Sequence, residues 1–241
     1  MAKTDEYVKG IHEMLNNIIE TNKDSFKEVI DEVYRTIKED KIIHVFGTGH
    51  SHMTGIEMFS RAGGLGNVDA MLDPDSVTVS GAIRGAYVER IEGLSEVIWK
   101  NYHFEEGDII IIVSNSGRNA VPVEMAMIAR EHGVKVIALT NIAQSKRQSS
   151  RHHSGKHLYE LADIVIDTLV PFGDSMVDID GIKTGAASNI SAMFIVDYIV
   201  VGAIEKAIAN GIRPHVFQSQ NLDGFSNDAI YEYYRGRVKH Y

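Results

Sequence analysis

The residues best suited to chemistry lie in two short turns. Gly47-Thr48-Gly49-His50-Ser51 follows the apolar run Ile42 to Phe46, and Ser114-Asn115-Ser116-Gly117-Arg118 follows Ile109 to Val113. Each run reads as a buried parallel strand, and each turn leads into a helical pattern: Met53 to Arg61 after the first and Ala120 to His132 after the second. A small-residue turn between a strand and a helix exposes backbone N–H groups, and the helix dipole favours negative charge there. Gly49 and Gly117 let a ligand approach the backbone, and the serine hydroxyls add donors. One helix N-terminus is worth only about 0.3–1 kcal/mol to an anion, too little for selective binding. Two such turns on neighbouring strands would converge on one phosphorylated ligand.

The elements that must position these turns alternate. Strands are expected near 42–46, 67–71, 108–113, 134–139 and 163–167. Helices are expected near 51–62, 87–101, 119–132, 156–162 and 185–210. This alternation predicts an α/β fold with a parallel sheet covered on both faces. Residues 5–39 carry apolar positions at helical spacing and form an N-terminal helical extension, with a break or bend at Thr21 to Ser25. Asn119 is placed to cap the helix after the second turn, and Gly133 to end it. Segments 72–85, 141–156 and 211–228 read as loops.

The bulk properties narrow the function. The chain has 241 residues, 44% hydrophobic and 24% charged, enough for one large α/β domain or two small ones. A net charge of −9 argues against nucleic acid or an anionic membrane as partner. There is no cysteine, which excludes disulfides and thiolate metal sites. Met1 to Gly10 lacks the apolar core of a secretion signal, so a cytoplasmic location is expected. One window inverts the charge: Asn141 to Tyr159 holds no Asp or Glu but carries Lys146, Arg147, Arg151, Lys156, His152, His153 and His157. It reads either as a solvated loop or as a basic lid that helps neutralise a phosphate ester.

The turns GTGHS at 47–51 and SNSGRN at 114–119, with the strand ending Ala138-Leu139-Thr140-Asn141, resemble the sugar isomerase (SIS) domain. The segments Gly49 to Met53, Glu57 to Gly64 and Asn221 to Gly224 are similar to a stand-alone bacterial subgroup described as phosphoheptose-isomerase-like. The resemblance implies one SIS domain over 1–241, with its core at about 40–210 and a C-terminal extension at 211–241. It implies a three-layer sandwich around a five-stranded parallel sheet of flavodoxin-like order. It also implies a sugar-phosphate ligand held by Ser51, Ser114, Ser116, Gly117, Asn119 and Thr140, with Gly49 and Asn115 in the same turns. A homodimer or homotetramer is implied, with a neighbouring subunit completing the site.

Isomerisation needs a base to move a proton between adjacent carbons and a group at the sugar ring. Glu57 is the candidate base, with a surface ion pair as its alternative. His50 or His52 is the candidate at the ring. His44, in mid-strand, reads as a core histidine. Arg118 is a candidate phosphate or carboxylate ligand, with a surface role equally open. Lys183 is a candidate for a ligand charge, and the small residues Gly185 to Ser188 after it read as close helix packing. No metal site or other cofactor is expected, with zinc the alternative: some phosphoheptose isomerases use zinc, but His52 and Glu57 are not at the spacing of one helical face, and His152, His153 and His157, which include an i, i+4 pair, lie in a loop context that argues against structural zinc. The leading expectation is a sugar-phosphate isomerase. An amino-sugar-phosphate etherase or lyase, and a non-catalytic phosphosugar sensor acting on a protein partner, are the alternatives.

Overall fold

The computed structural model describes residues 2–241, apart from the side chain of Ser80. In chain order its elements are α1 (Lys3–Thr21), α2 (Lys23–Lys38), β1 (Ile43–Gly47), α3 (His52–Met58), β2 (Val68–Met71), α4 (Ala82–Val88), α5 (Leu94–Trp99), β3 (Ile109–Val113), α6 (Ala120–Glu131), β4 (Lys135–Thr140), α7 (Ile142–Lys146), α8 (Leu158–Leu161), β5 (Ile164–Asp167), β6 (Val177–Ile179), β7 (Ile182–Thr184), α9 (Ser188–Ala209) and α10 (Asp228–Tyr234). β1 to β5 form one parallel sheet in the order β2-β1-β3-β4-β5.

The strand composition explains the layers. Side chains alternate across a strand, so a run that is apolar at every position must be covered twice. Ile43, Val45, Ile109, Ile111, Val113, Ile137 and Leu139 pack on one face against α1, α2 and α9. Phe46, Ile110, Ile112, Val136 and Ala138 pack on the other against α5, α6 and α8. The five strands are those expected, and the N-terminal helix divides at Asn22. Its amide donates to Ile18 O and to Asp167 O, both at 2.9 Å, which ties the break to the end of β5.

α7 lies within the segment 141–156 that reads as a loop, and two further departures from expectation stand out. The helix expected over 87–101 is two helices, α4 and α5, separated by Glu89 to Gly93. The break is held from outside the helix: Val121 N–H donates to Glu89 O at 3.2 Å, and Gly93 N–H reaches both carboxylate oxygens of Glu124, at 2.8 and 2.9 Å. Second, β6 and β7 form a small antiparallel hairpin that was not anticipated. Its turn is Asp180-Gly181, both at positive φ (52° and 86°), the two-residue hairpin turn that an Asp-Gly pair favours. The C-terminal segment returns to its own chain. Gly66 N–H donates to His215 O at 2.7 Å, and Tyr241 stacks on Phe59 at 5.2 Å.

Candidate functional site

The order β2-β1-β3 makes the boundary between β1 and β3 the point where the chain changes direction across the sheet. In such sheets a crevice opens there beyond the carboxyl ends of the strands. Both turns sit at this point, because Phe46 pairs with Ile112 and Gly47 with Val113. Between them lies a cavity of about 360 Å³, lined by Thr48, Gly49, His50 and Ser51 from the first turn and by Ser114, Asn115, Ser116 and Asn119 from the second. Gln144 closes one side, and the small-residue face of α4 (Gly81, Ala82, Gly85, Ala86), with Thr78 and Glu89, forms the opposite wall. A larger hollow of about 730 Å³ is lined by residues 96–106 and 132–134. It lies at the amino ends of β3 and β4 and contains neither turn.

The turns are built for close approach. Gly49 N–H donates to Ser76 O at 2.9 Å, anchoring the first turn. Ser114 Oγ accepts from Gly117 N–H at 3.2 Å, which leaves its own proton for a ligand. At Gly117 φ is +59°, and a Cβ would stand 2.6 Å from Thr140 Oγ1, so the turn needs glycine on both counts. Asn115 is fixed by Thr168, whose hydroxyl donates to Asn115 Oδ1 at 3.0 Å. Asn119 occupies the N-cap position of α6 but does not cap with its side chain. Its Oδ1 instead accepts from Arg151 Nη1 at 2.8 Å.

The remaining candidates separate. His50 is exposed at the cavity rim, whereas His52 is buried and turned back onto Gly49 O. Glu57 is not among the residues that line the cavity and pairs with Arg61, beyond the end of α3, at 3.0 Å. Thr140 is fully buried beneath the second turn, with Asn115 O 3.5 Å from its hydroxyl. Arg118 reaches Gln148 Oε1 at 2.8 Å rather than the cavity. Lys183 is exposed on β7, away from the turns. The N-terminal amides of α9 are occupied: Asp174 Oδ1 accepts from Ala187 N–H at 2.9 Å and from Ser188 N–H at 2.8 Å.

The basic window folds against the second turn. Arg151 N–H donates to Arg118 O and Leu158 N–H to Gly117 O, both at 2.8 Å. This gathers Arg151, Arg118 and Arg90 closely enough that burial, with repulsion from Arg118 and Arg90, lowers the pKa of Arg151.

Glu89 is the residue that the sequence did not single out. It is half-buried in the cavity wall, with Thr48 Oγ1 donating to its Oε2 at 3.4 Å. Burial raises its carboxyl above the ordinary glutamate value, and Arg90, Thr48, Arg151 and Asn119 pull the other way. It was hidden because an unbroken helix over 87–101 gives its side chain no special direction.

Residues 6–141 match the SIS domain family. A UPF0309 protein of Halalkalibacterium halodurans is 39% identical over 233 residues, covering 95% of this chain and 96% of its own. A UPF0309 protein of Caldanaerobacter subterraneus is 36% identical over 243 residues, covering 98% and 99%. Among solved structures, a phosphoheptose isomerase from Francisella tularensis aligns with a TM-score of 0.53 at 16% identity, covering 84% of this chain and 99% of its own. The Vibrio vulnificus NanR protein complexed with ManNAc-6P aligns with a TM-score of 0.55 at 18% identity, covering 87% and 65%. These distant likenesses concern the fold. The family match and the full-length relatives, together with the strand order and the paired turns, place this chain in the SIS-domain family, among the UPF0309 proteins.

Proposed function

We propose that the cavity binds a sugar phosphate and that the protein isomerises it. In this reading the hydroxyls of Ser51, Ser114 and Ser116 and the amides of the two turns take the phosphate. Arg151, held by Asn119, adds positive potential beside it. The sugar lies along the small-residue face of α4. Glu89, rather than Glu57, removes the proton from the carbon beside the carbonyl and returns it to the neighbouring carbon. His50 at the rim shifts the hydroxyl proton between the two oxygens. The supporting observation is the position of Glu89: a half-buried carboxylate with a raised pKa in the wall of a cavity lined by both turns. We also propose a homodimer or homotetramer as the working form, because α4 presents Ile83 and Tyr87 outward, 80% and 67% exposed, directly behind the cavity wall.

The test begins with a thermal-shift panel of sugar phosphates. A ligand at about 100 times its Kd adds about 2.7 kcal/mol of stability. Ser114→Asp places a carboxylate where the phosphate would sit and should abolish that shift; an unchanged shift refutes the assignment. Solvent deuterium incorporation into the bound sugar should fall by about 10²–10⁴-fold in Glu89→Gln. A ligand that binds tightly but never exchanges would identify a sensor. Exchange accompanied by loss of a β-substituent would identify a lyase.

A further inference from the structure

Outside the cavity, two histidines and a glutamate converge. Glu92, in the break between α4 and α5, meets His152 and His153 of the basic segment, and one ligand atom from each lies within 4.8 Å of the other two. His153 Nδ1 is 2.8 Å from Glu92 Oε2, and His153 N–H donates to Glu92 Oε1 at 2.8 Å. The His152 ring is buried and lies 4.2 Å from the His153 ring, centroid to centroid. Its Nε2 is 3.5 Å from Glu124 Oε1, so a second carboxylate stands beside the group.

We propose that Glu92, His152 and His153 form a binding site for a borderline divalent cation of the Zn²⁺ class. Two imidazoles and a carboxylate are a donor set suited to such ions and poorly suited to Mg²⁺ or Ca²⁺, which take oxygen. In a tetrahedral zinc site with bonds of about 2.0–2.1 Å, donor atoms stand about 3.3 Å apart. The exposed side chains of Glu92 and His153 need only a small rotation to reach that spacing. His152 is held in place by Ser154, whose N–H donates to its Nδ1 at 3.2 Å and whose Oγ stands 2.7 Å from the same nitrogen; a metal at Nε2 requires the tautomer with its proton on Nδ1, for which that hydroxyl is the acceptor. Glu124 supplies negative potential next to the ion. The fourth coordination place is left for water. Such an ion would join the 89–93 turn, which carries the cavity residue Glu89, to the segment whose Arg151 holds Asn119.

The experiment uses the full chain, freed of metal by chelator dialysis and titrated with Zn²⁺ alone, so its result does not depend on the sugar-phosphate reading. We expect one zinc per chain, visible absorption of four-coordinate Co²⁺ when cobalt replaces zinc, and a rise in Tm on loading. Glu92→Gln and His153→Gln alter exposed side chains and retain the fold, checked by circular dichroism. Each should weaken zinc binding at least tenfold and abolish the cobalt absorption. Substoichiometric zinc in the wild-type chain, or binding that both variants leave unchanged, would overturn the site.

Discussion

At the residue scale the cavity rests on a few positions whose replacement has a calculable direction. Gly117→Ala introduces a Cβ 2.6 Å from Thr140 Oγ1 at a φ of +59°. The left-handed conformation alone costs about 1–2 kcal/mol, and the collision displaces the turn as well. Urea unfolding should show at least that loss, together with a weakened phosphate response. Glu89→Gln should behave in the opposite sense. The folded pKa of Glu89 is raised, so the native state binds more protons than the unfolded chain as pH climbs past the ordinary glutamate value, and stability falls there. Glutamine removes that fall. At neutral pH the variant should therefore unfold at the same or a higher temperature than wild type while losing proton exchange, a combination that a merely structural residue would not give. The serines of both turns could be read from the sequence because strand, small residues and helix follow one another locally. Glu89 and Arg90 could not, since their importance comes from contacts with Thr48 and with a segment about sixty residues away.

At the element scale β1, β2 and β3 are joined by an ionic group inside an otherwise apolar sheet. His44 on β1 is fully buried between Asp108, its Nε2 at 3.4 Å from Oδ2, and Asp69, whose Oδ2 is 3.4 Å from its Nδ1. The Asp69 contact has ion-pair distance without hydrogen-bond alignment, and Phe104 packs on the imidazole with ring centroids 3.8 Å apart. Burial opposes the charge on His44, but the two aspartates outweigh it and raise its pKa. Asp108 is shifted down despite its burial, because His44 and the N–H groups of Ile42 and Glu105, at 2.8 and 2.7 Å, stabilise its charged form. The signs follow. The contribution of His44 is complete below its unfolded pKa of about 6.5 and is lost as pH rises through its higher folded value. That of Asp108 is complete above about 3.9 and is lost as pH falls through its lower folded value. Asp108→Asn should thus cost about 3–5 kcal/mol between roughly pH 4 and 6.5, with the deficit shrinking on either side, as measured by urea unfolding across a pH series. Reading His44 as a core histidine from its mid-strand position located it correctly, but its partners come from strands about 25 and 64 residues away and could not be inferred from spacing. The five strands were legible because runs such as Ile109 to Val113 are apolar at every position. The division of α4 from α5 was not, because Glu124 and Val121 impose it from another helix.

At the scale of the whole molecule, α4 and α9 each leave large apolar side chains uncovered. On α4 Ile83 and Tyr87 are 80% and 67% exposed, one turn apart on the side facing away from the cavity. On α9 Val201 and Ile208 are 66% and 53% exposed, and that helix belongs to the layer on the opposite face of the sheet from α5 and α6. One self-complementary face closes a dimer, whereas a tetramer with three mutually perpendicular twofold axes uses two distinct ones, so the number of working faces sets the assembly. The chain carries −9, and like charges oppose association at low salt. An apolar contact should therefore tighten as salt is added, while one held by ion pairs would weaken. Sedimentation should show an oligomer that strengthens with ionic strength. If both faces work, Ile83→Asp and Val201→Asp should each halve a tetramer to a dimer, and the double variant should be monomeric. If only α4 works, Val201→Asp should leave a dimer intact. Since α4 is also the cavity wall, the Ile83→Asp protein should lose sugar-phosphate response in thermal shift, while Val201→Asp keeps it. A wild-type chain that sediments as a monomer at high protein concentration would remove the assembly, and equal thermal responses in the two variants would separate the site from the interface.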